Sequence, residues 1–514
     1  MASSTASNQV SPPSRDALPS LSDELTSLNQ LSEALLQRYN TSGPRYTSYP
    51  TAPMWKNSFG ASDFVDAIRT DNSAEQGIGR PLSLYAHLPF CTSRCLFCGC
   101  NVIITQQREQ AEKYLGYLFR EIDQQSDLLA PGRDVAQFHW GGGTPTYLTP
   151  EQLTRLFEYQ TKHVRWAQDA EIALEVDPRV TTDEQLVALR ELGFNRISMG
   201  VQDFQPDTQE AIRRIQPVDL TEAMTERCRE LGFGGINYDL IYGLPHQTET
   251  SFSKTLDDVI RLSPDRIALY NFAYIPWMAG HQTLLNPKTL PNGQSKFKIF
   301  KLAIHRLLEA GYVYMGMDHF AKPTDALTKA WQDGSLHRNF MGYTTHAGCD
   351  LMGVGVSAIS TLHGTYSQNV KKLSRYYQAV DERQLPVDRG MILTEDDQLR
   401  RGAIHQVLCD GRFSHGTLSE QYGVDTKELF AQANDVLAQM AQDGLITELT
   451  EDGYTLTLLG RILSRNIAML YDAYLKQPAA GSTSIVATSH RTEETVKNRD
   501  AASSPPPPMY SKTL

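Results

Sequence analysis

The 514-residue chain lacks any apolar run of about 18 residues or more, which excludes a membrane-spanning helix on sequence grounds. It lacks an excess of basic residues: 48 Lys and Arg face 59 Asp and Glu, a formal net charge of −11. A pI near 5.7 disfavours nonspecific nucleic-acid binding, which needs a basic face. The first twenty residues are Ser- and Pro-rich, without a basic segment followed by an apolar one. A cytoplasmic location is therefore expected. Cysteine is scarce, with seven in all, and four of these, Cys91, Cys95, Cys98 and Cys100, fall within ten residues. Such spacing is unlike a disulfide framework. Cys228, Cys349 and Cys409 stand singly and read as core or incidental thiols. No repeat of about 20–50 residues is present beyond a strand–helix period.

What is there is an ordinary globular composition, 40% hydrophobic and 21% charged, enough for a sizeable core. Residues 1–37 read as a disordered extension carrying a short amphipathic helix. Its Leu21, Leu25, Leu28, Leu31 and Leu35 recur at helical spacing behind a capping box from Ser20 to Asp23. Residues 38–81 read as an N-terminal arm. From residue 82, strand-like runs at 83–90, 135–143, 171–178, 195–202, 235–244 and 265–275 alternate with helical segments. Six such units predict an α/β fold, a parallel sheet with right-handed crossovers curled into an open (βα)6 barrel, its extension running to 385. A mostly helical C-terminal domain is expected over 386–477 and a Pro/Ser-rich tail over 478–514, with four consecutive prolines at 505–508.

In a barrel of this kind the chemistry sits at the C-terminal ends of the strands. Cys91-Thr-Ser-Arg-Cys95-Leu-Phe-Cys98-Gly-Cys100 follows the first strand. Three thiolates on one tight loop suit three irons of a [4Fe–4S] cube, leaving the fourth iron open. The same spacing also admits a structural zinc with Cys100 or His87 as the fourth ligand, or a redox disulfide. Phe97 beside the last cysteine would shield a cluster, or simply fill the core. Gly141-Gly142-Gly143-Thr144 ends the second strand, allowing a ligand to approach the backbone, or merely making a tight turn. Glu175, Asp177, Gln202, Asp203 and Asp239 lie on the next three strands. Together they suit recognition of ribose hydroxyls; singly, each reads as a cap or loop carboxylate. Arg214 offers a planar fork for a carboxylate, although a surface role is the ordinary one for such a residue.

These residues resemble the radical S-adenosylmethionine (SAM) superfamily, whose C-x3-C-x2-C motif follows the first barrel strand. More narrowly, the chain resembles the oxygen-independent coproporphyrinogen III oxidase (coproporphyrinogen dehydrogenase) family. The resemblance rests on RYTSYPTA (45–52), LYAHLPFCTSRCLFCGCN (84–101), HWGGGTPTYL (139–148), EVDPR (175–179), SMGVQDF (198–204), DLIYGLPHQT (239–248), GMDHFAKP (316–323) and LHRNFMGYTTHAGCDLMGVGVSAIS (336–360). It spans roughly residues 38 to 475.

The resemblance implies that Cys91, Cys95 and Cys98 ligate the cluster and that a first SAM chelates the open iron near Tyr85, Gly142, Glu175 and Ile359. It implies a second SAM near Phe97, Gly143, Thr144, Gln202, Arg214, Asp239 and Ala273. Cys100 matches a non-ligating cysteine needed for activity, and Tyr85 and Cys100 are the candidate catalytic residues. The implied reaction turns two propionates of coproporphyrinogen III into vinyl groups, giving protoporphyrinogen IX for haem synthesis by way of a 5′-deoxyadenosyl radical. The implied partners are the porphyrinogen substrate and an unidentified electron donor, and the implied state is a monomer. Haem chaperones on the same scaffold are the rival reading. Such relatives tend to be shorter and to lack the fourth cysteine, whereas Cys100, the 45–52 arm and the C-terminal module are all present here. Tyr274 stands where relatives often carry His, and MYSKTL at 509–514 is similar to the family's own C-terminal end.

Overall fold

The apolar runs between residues 82 and 275 fold as six consecutive parallel strands: β1 (Leu82–Leu88), β2 (Asp134–Gly142), β3 (Arg165–Val176), β4 (Arg196–Gln202), β5 (Gly235–Tyr242) and β6 (Arg266–Asn271). They hydrogen-bond in chain order, each parallel to the next. Near-continuous burial along β1, β2 and β5 is what a parallel sheet covered on both faces requires. Crossovers run through α1 (Arg108–Ser126), α2 (Pro150–Thr161), α3 (Asp183–Glu191), α4 (Pro206–Ala211), α5 (Val218–Glu230) and α6 (Glu249–Leu262), followed by α7 (Gly293–Glu309). Thr149 and Thr182 form capping boxes with Gln152 and Gln185, which explains the sharp starts of α2 and α3. This is the open (βα)6 barrel expected from the sequence.

The computed structural model describes residues 18–73, 79–162, 164–362, 364–476 and 488–489. The extension before residue 18, the tail from 478 apart from 488–489, and the MYSKTL end lie outside the described residues. Two compact units form, one of residues 55–310 with 348–392, the other of residues up to 54 with 311–347 and the chain from 393. These limits differ from boundaries at 81/82 and 385/386 because the chain leaves the barrel unit at 311 and returns at 348. On its return it forms β7 (Asp350–Val354), parallel to β1, and then an antiparallel run of β8 (Ile359–Leu362), β9 (Thr365–Asn369) and β10 (Val387–Ile392).

In the other unit the expected single N-terminal helix is two, Leu21–Gln30 and Glu33–Tyr39. Ser32 breaks it, because its side chain accepts from the Leu35 N–H and so caps the second helix. Leu28 and Leu31 are buried while Leu21 is exposed. The C-terminal part is mostly helical, as expected. Its hairpin joins Ile446–Thr447 to Gly453–Leu456, and Arg412–Ser414 adds a third strand. Among the described residues no helix is long and apolar enough to cross a membrane.

Behind the barrel, α1 carries a fully buried carboxylate. Glu121 accepts from the Gly355 N–H at 2.7 Å, the Tyr376 hydroxyl at 2.6 Å and the Asn369 amide at 2.6 Å. Tyr114, two turns earlier, accepts from the Val356 N–H at 3.0 Å and donates to the His87 carbonyl at 2.8 Å. One face of α1 therefore holds both the end of β1 and the turn after β7. Burial pushes Glu121 up from 4.5 to about 7, despite three donors that favour the charged form. The folded chain thus binds this proton more tightly than the unfolded chain, so Glu121's contribution to stability falls as pH rises between about 4.5 and about 7. In thermal unfolding across that window, Glu121→Gln is expected to remove a decline of about 3 kcal/mol. An unchanged pH slope in the variant would contradict this assignment.

Candidate active site

The cysteine loop grows out of β1. Phe90–Cys91 pairs in parallel with Ile103–Ile104, closing the intervening residues into a loop above the strand ends. Its seat is the glycine run at the end of β2. The Gly143 N–H donates to the Leu88 carbonyl and the Thr144 N–H to the Phe90 carbonyl, both at 2.9 Å. A Cβ on Gly143 would stand 2.6 Å from the Pro89 carbonyl carbon, and one on Gly142, at φ +114°, 2.6 Å from the His87 ring. The run is thus a close-approach surface rather than a bare turn.

Cys95 is buried, Cys91 and Cys98 are half-buried, and Cys100 is exposed. The Cys91 thiol lies 3.4 Å from the Thr144 hydroxyl, and burial pushes it up to about 11. Cys98 is drawn down to about 6, chiefly by a hydrogen bond from Cys100, whose own pKa rises in return. Two guanidinium groups address Cys95 Sγ, Arg179 Nη2 at 3.5 Å and Arg214 Nη1 at 3.6 Å. Both also bind Asp177, at 2.7 Å and 3.0 Å. Burial opposes the Asp177 charge, but Arg214 and Arg179 hold its pKa below the usual range.

Arg214 is buried, unlike the usual surface arginine. It donates to the Gly200 carbonyl at 2.6 Å, and its Nε is buried without a partner among the described residues. Gln202 ends β4 in the left-handed region, at φ +67°, and its amide packs over Gly200 beside Arg214. An orphaned guanidinium N–H, a side-chain-free backbone cradle and three neighbouring thiols, one of them screened by two arginines, form a donor set that fits an iron–sulfur cluster and an anionic, hydroxyl-bearing ligand.

Further down the barrel, inward side chains from alternate positions form a polar layer. Tyr85 pairs with His139 across β1 and β2, their rings stacked at 6.0 Å and 11°. The Tyr85 hydroxyl meets His87 Nδ1 at 3.1 Å, and His87 Nε2 meets the Asn101 carbonyl at 3.0 Å. Burial holds His87 below its ordinary value, so the neutral ring donates to Asn101 and accepts from Tyr85. Burial and the Glu175 charge raise the Tyr85 phenol well above its ordinary value. Glu175 accepts from the Gly142 N–H at 3.1 Å and lies 3.7 Å from His139 Nε2, yet keeps 45% of its side chain accessible. Burial works against its charge, but His139 and Gly142 hold its pKa below the usual carboxylate range. Asp239 accepts from Ser198 at 3.1 Å and Asn237 at 2.9 Å; burial and Glu175 push it up to about 6.

The sequence-predicted residues therefore fall into two groups. Tyr85, Gly142, Glu175 and Asp239 line the polar layer, while Gly143, Thr144, Gln202 and Arg214 surround the cysteine loop. Ile359 sits apart on β8, its carbonyl against Gly353, the β7 partner of Tyr85. Ala273 is exposed beyond β6, and its carbonyl and that of Phe97 share the Gln282 amide at 3.2 Å and 3.5 Å. Three functional neighbours escaped the sequence reading: His87, considered only as a zinc ligand, His139 and Arg179. The two-residue alternation Tyr85/His87 and the position of His139 two before Gly141 carried that signal.

Residues 85–259 match the model of the radical SAM superfamily. The chain is 46% identical over 446 residues to the oxygen-independent coproporphyrinogen III oxidase of Salmonella typhimurium, covering 87% of this chain and 96% of that protein. It is 45% identical to the Escherichia coli protein of the same name, again over 87% and 96%. The solved structure of coproporphyrinogen III oxidase from Escherichia coli, a radical SAM enzyme, superposes with a TM-score of 0.81 at 43% identity, covering 86% of this chain and 99% of that one. At 46% identity over nearly the whole of such a relative, this chain belongs to the oxygen-independent coproporphyrinogen III oxidase family of the radical SAM superfamily.

Proposed function

We propose that this chain oxidatively decarboxylates two propionates of coproporphyrinogen III to vinyl groups, giving protoporphyrinogen IX in haem biosynthesis. The observation that carries this reading is near-complete coverage of relatives bearing that name, at 46% identity, with the cysteine loop and its arginine screen intact. Cys91, Cys95 and Cys98 would hold a [4Fe–4S] cluster, which would supply the electron that lets SAM act as the hydrogen-abstracting reagent toward a propionate β-carbon.

The side chains do the positioning. Glu175 and Gly142 hold the first SAM, with Tyr85 and Ile359 beside it. The unpartnered Arg214 Nε, Gln202 and Asp239 hold a second SAM together with Phe97, Gly143, Thr144 and Ala273. Tyr85 Oη keeps its proton at neutral pH because burial and Glu175 oppose its ionisation. Leu96, with Ile212, Ile241, Leu244, Phe272 and Leu285, forms an apolar cluster against which Phe97 packs, keeping water from the cysteine loop. The reading includes a cytoplasmic monomer served by a separate electron donor.

The test is an anaerobic assay of reconstituted protein with SAM, a reductant and coproporphyrinogen III, measuring 5′-deoxyadenosine and porphyrin product together. Divinyl product is expected. Deoxyadenosine without it would refute the substrate assignment and favour haem binding. Replacing Cys91, Cys95 or Cys98 by Ala is expected to take both products to background, while Cys228→Ser, fully buried and away from the loop, leaves them intact. Arg214→Gln is expected to raise KM for SAM roughly 10- to 100-fold, the worth of a charge-assisted hydrogen bond.

A further inference from the structure

Large apolar side chains left in water usually scatter singly, and their clustering signals a binding surface. Ten are exposed among the described residues, and five of them, Ile104, Ile215, Trp277, Met278 and Leu284, lie on three segments stitched to the cysteine loop. Ile104 pairs with Cys91, and the Thr105 N–H donates to the Cys91 carbonyl at 3.1 Å. The segment carrying Ile215 accepts the Leu96 N–H on the Ile212 carbonyl at 3.0 Å. The segment carrying Trp277 and Met278 is pinned twice: His281 Nε2 meets the Cys98 carbonyl at 2.8 Å, and Gln282 bridges Phe97, Ala273 and the Ile275 N–H.

These are ordered tips, held down by hydrogen bonds, with 55% of Trp277 and 73% of Met278 still exposed. In the second segment the outward pattern is enforced by the backbone. Arg213 adopts the left-handed region at φ +56°, so Ile212, Arg214 and Gln216 turn inward while Arg213 and Ile215 face solvent. Arg213 is exposed, and Arg94, on the cysteine loop, is half-buried and close enough to Cys98 to favour its thiolate. Apolar tips and two guanidinium groups therefore lie on the cysteine loop and on segments tied to it.

We propose that this rim receives the porphyrinogen itself, Trp277 and Met278 taking the apolar ring and Arg213 and Arg94 the carboxylates of propionates not reacting at that moment. A tetrapyrrole with four carboxylates is the ligand whose chemistry matches both halves of the surface. The inference rests on the substrate reading above and goes beyond it in naming the surface. Trp277 and Arg213 are both exposed, so their truncation leaves the core intact.

The experiment uses the full-length reconstituted protein with dithionite as reductant, comparing wild type, Trp277→Ala and Arg213→Ala. Each variant is expected to raise KM for coproporphyrinogen III about tenfold, the worth of one aromatic or charged contact. KM for SAM, substrate-free SAM cleavage and the cluster's EPR signal should stay as in wild type. Air-stable coproporphyrin III added to the full-length protein should quench tryptophan emission, and Trp277→Ala should remove most of that quenching. Unchanged KM in both variants overturns the proposal. So does a defect seen only when a protein electron donor replaces dithionite, which would make the rim that donor's dock. Absence of divinyl product in wild type would instead refute the substrate reading.

Discussion

Between the first two strands of the barrel the backbones come so close that no side chain fits. The Gly143 N–H reaches the Leu88 carbonyl and the Thr144 N–H the Phe90 carbonyl. The Gly142 N–H is left facing Glu175. Gly141 meets the same carboxylate, since a Cβ there would stand 3.0 Å from the Glu175 carboxyl carbon. The glycine run thus sets the height of the cysteine loop over β2 and the position of the acid on β3. It does so with backbone donors and acceptors, which cannot rotate away. Any residue with a side chain would move both at once, so the cysteine loop and Glu175 share one geometric constraint.

Electrostatics then sorts the site into two layers. Around Cys95 two arginines share one carboxylate, Asp177, leaving a net positive surround for sulfur that is to carry negative charge. Below it, Glu175 and Asp239 stand as neighbouring acids in the barrel interior. They cannot both ionise freely, and the environment divides them: His139 and the Gly142 N–H favour charge on Glu175, while Asp239 moves to about 6. One acid is firmly charged and the other takes up a proton as the pH falls towards about 6.

The barrel was legible in the sequence because its signals are local. Alternation of apolar runs with capped helices is written in short windows, and Thr149, Thr182 and Thr248 mark three helix starts. The cysteine spacing was legible for the same reason. Three things were not. The break at Ser32 depends on a single capping hydrogen bond that competes with an otherwise continuous leucine pattern. The excursion of residues 311–347 out of the barrel unit is a tertiary choice, with no composition change to announce it. The burial of Arg214 follows from Asp177, 37 positions earlier in the chain, and from the left-handed Arg213 beside it. Arg213 and Arg214 are chemically identical, and only the backbone separates their roles.

That separation matters because one short segment serves two environments. Leu96 and Ile212 join the cysteine loop to residues 212–216 through a single backbone hydrogen bond. Inward residues on that segment screen the sulfur and complete the apolar cluster; outward ones present charge and apolar surface to solvent. The segment after β6 repeats the arrangement: Gln282 ties the Phe97 and Ala273 carbonyls together while Trp277 and Met278 stay outside. The outward tips therefore share with the cysteine loop the same few backbone and Gln282 hydrogen bonds.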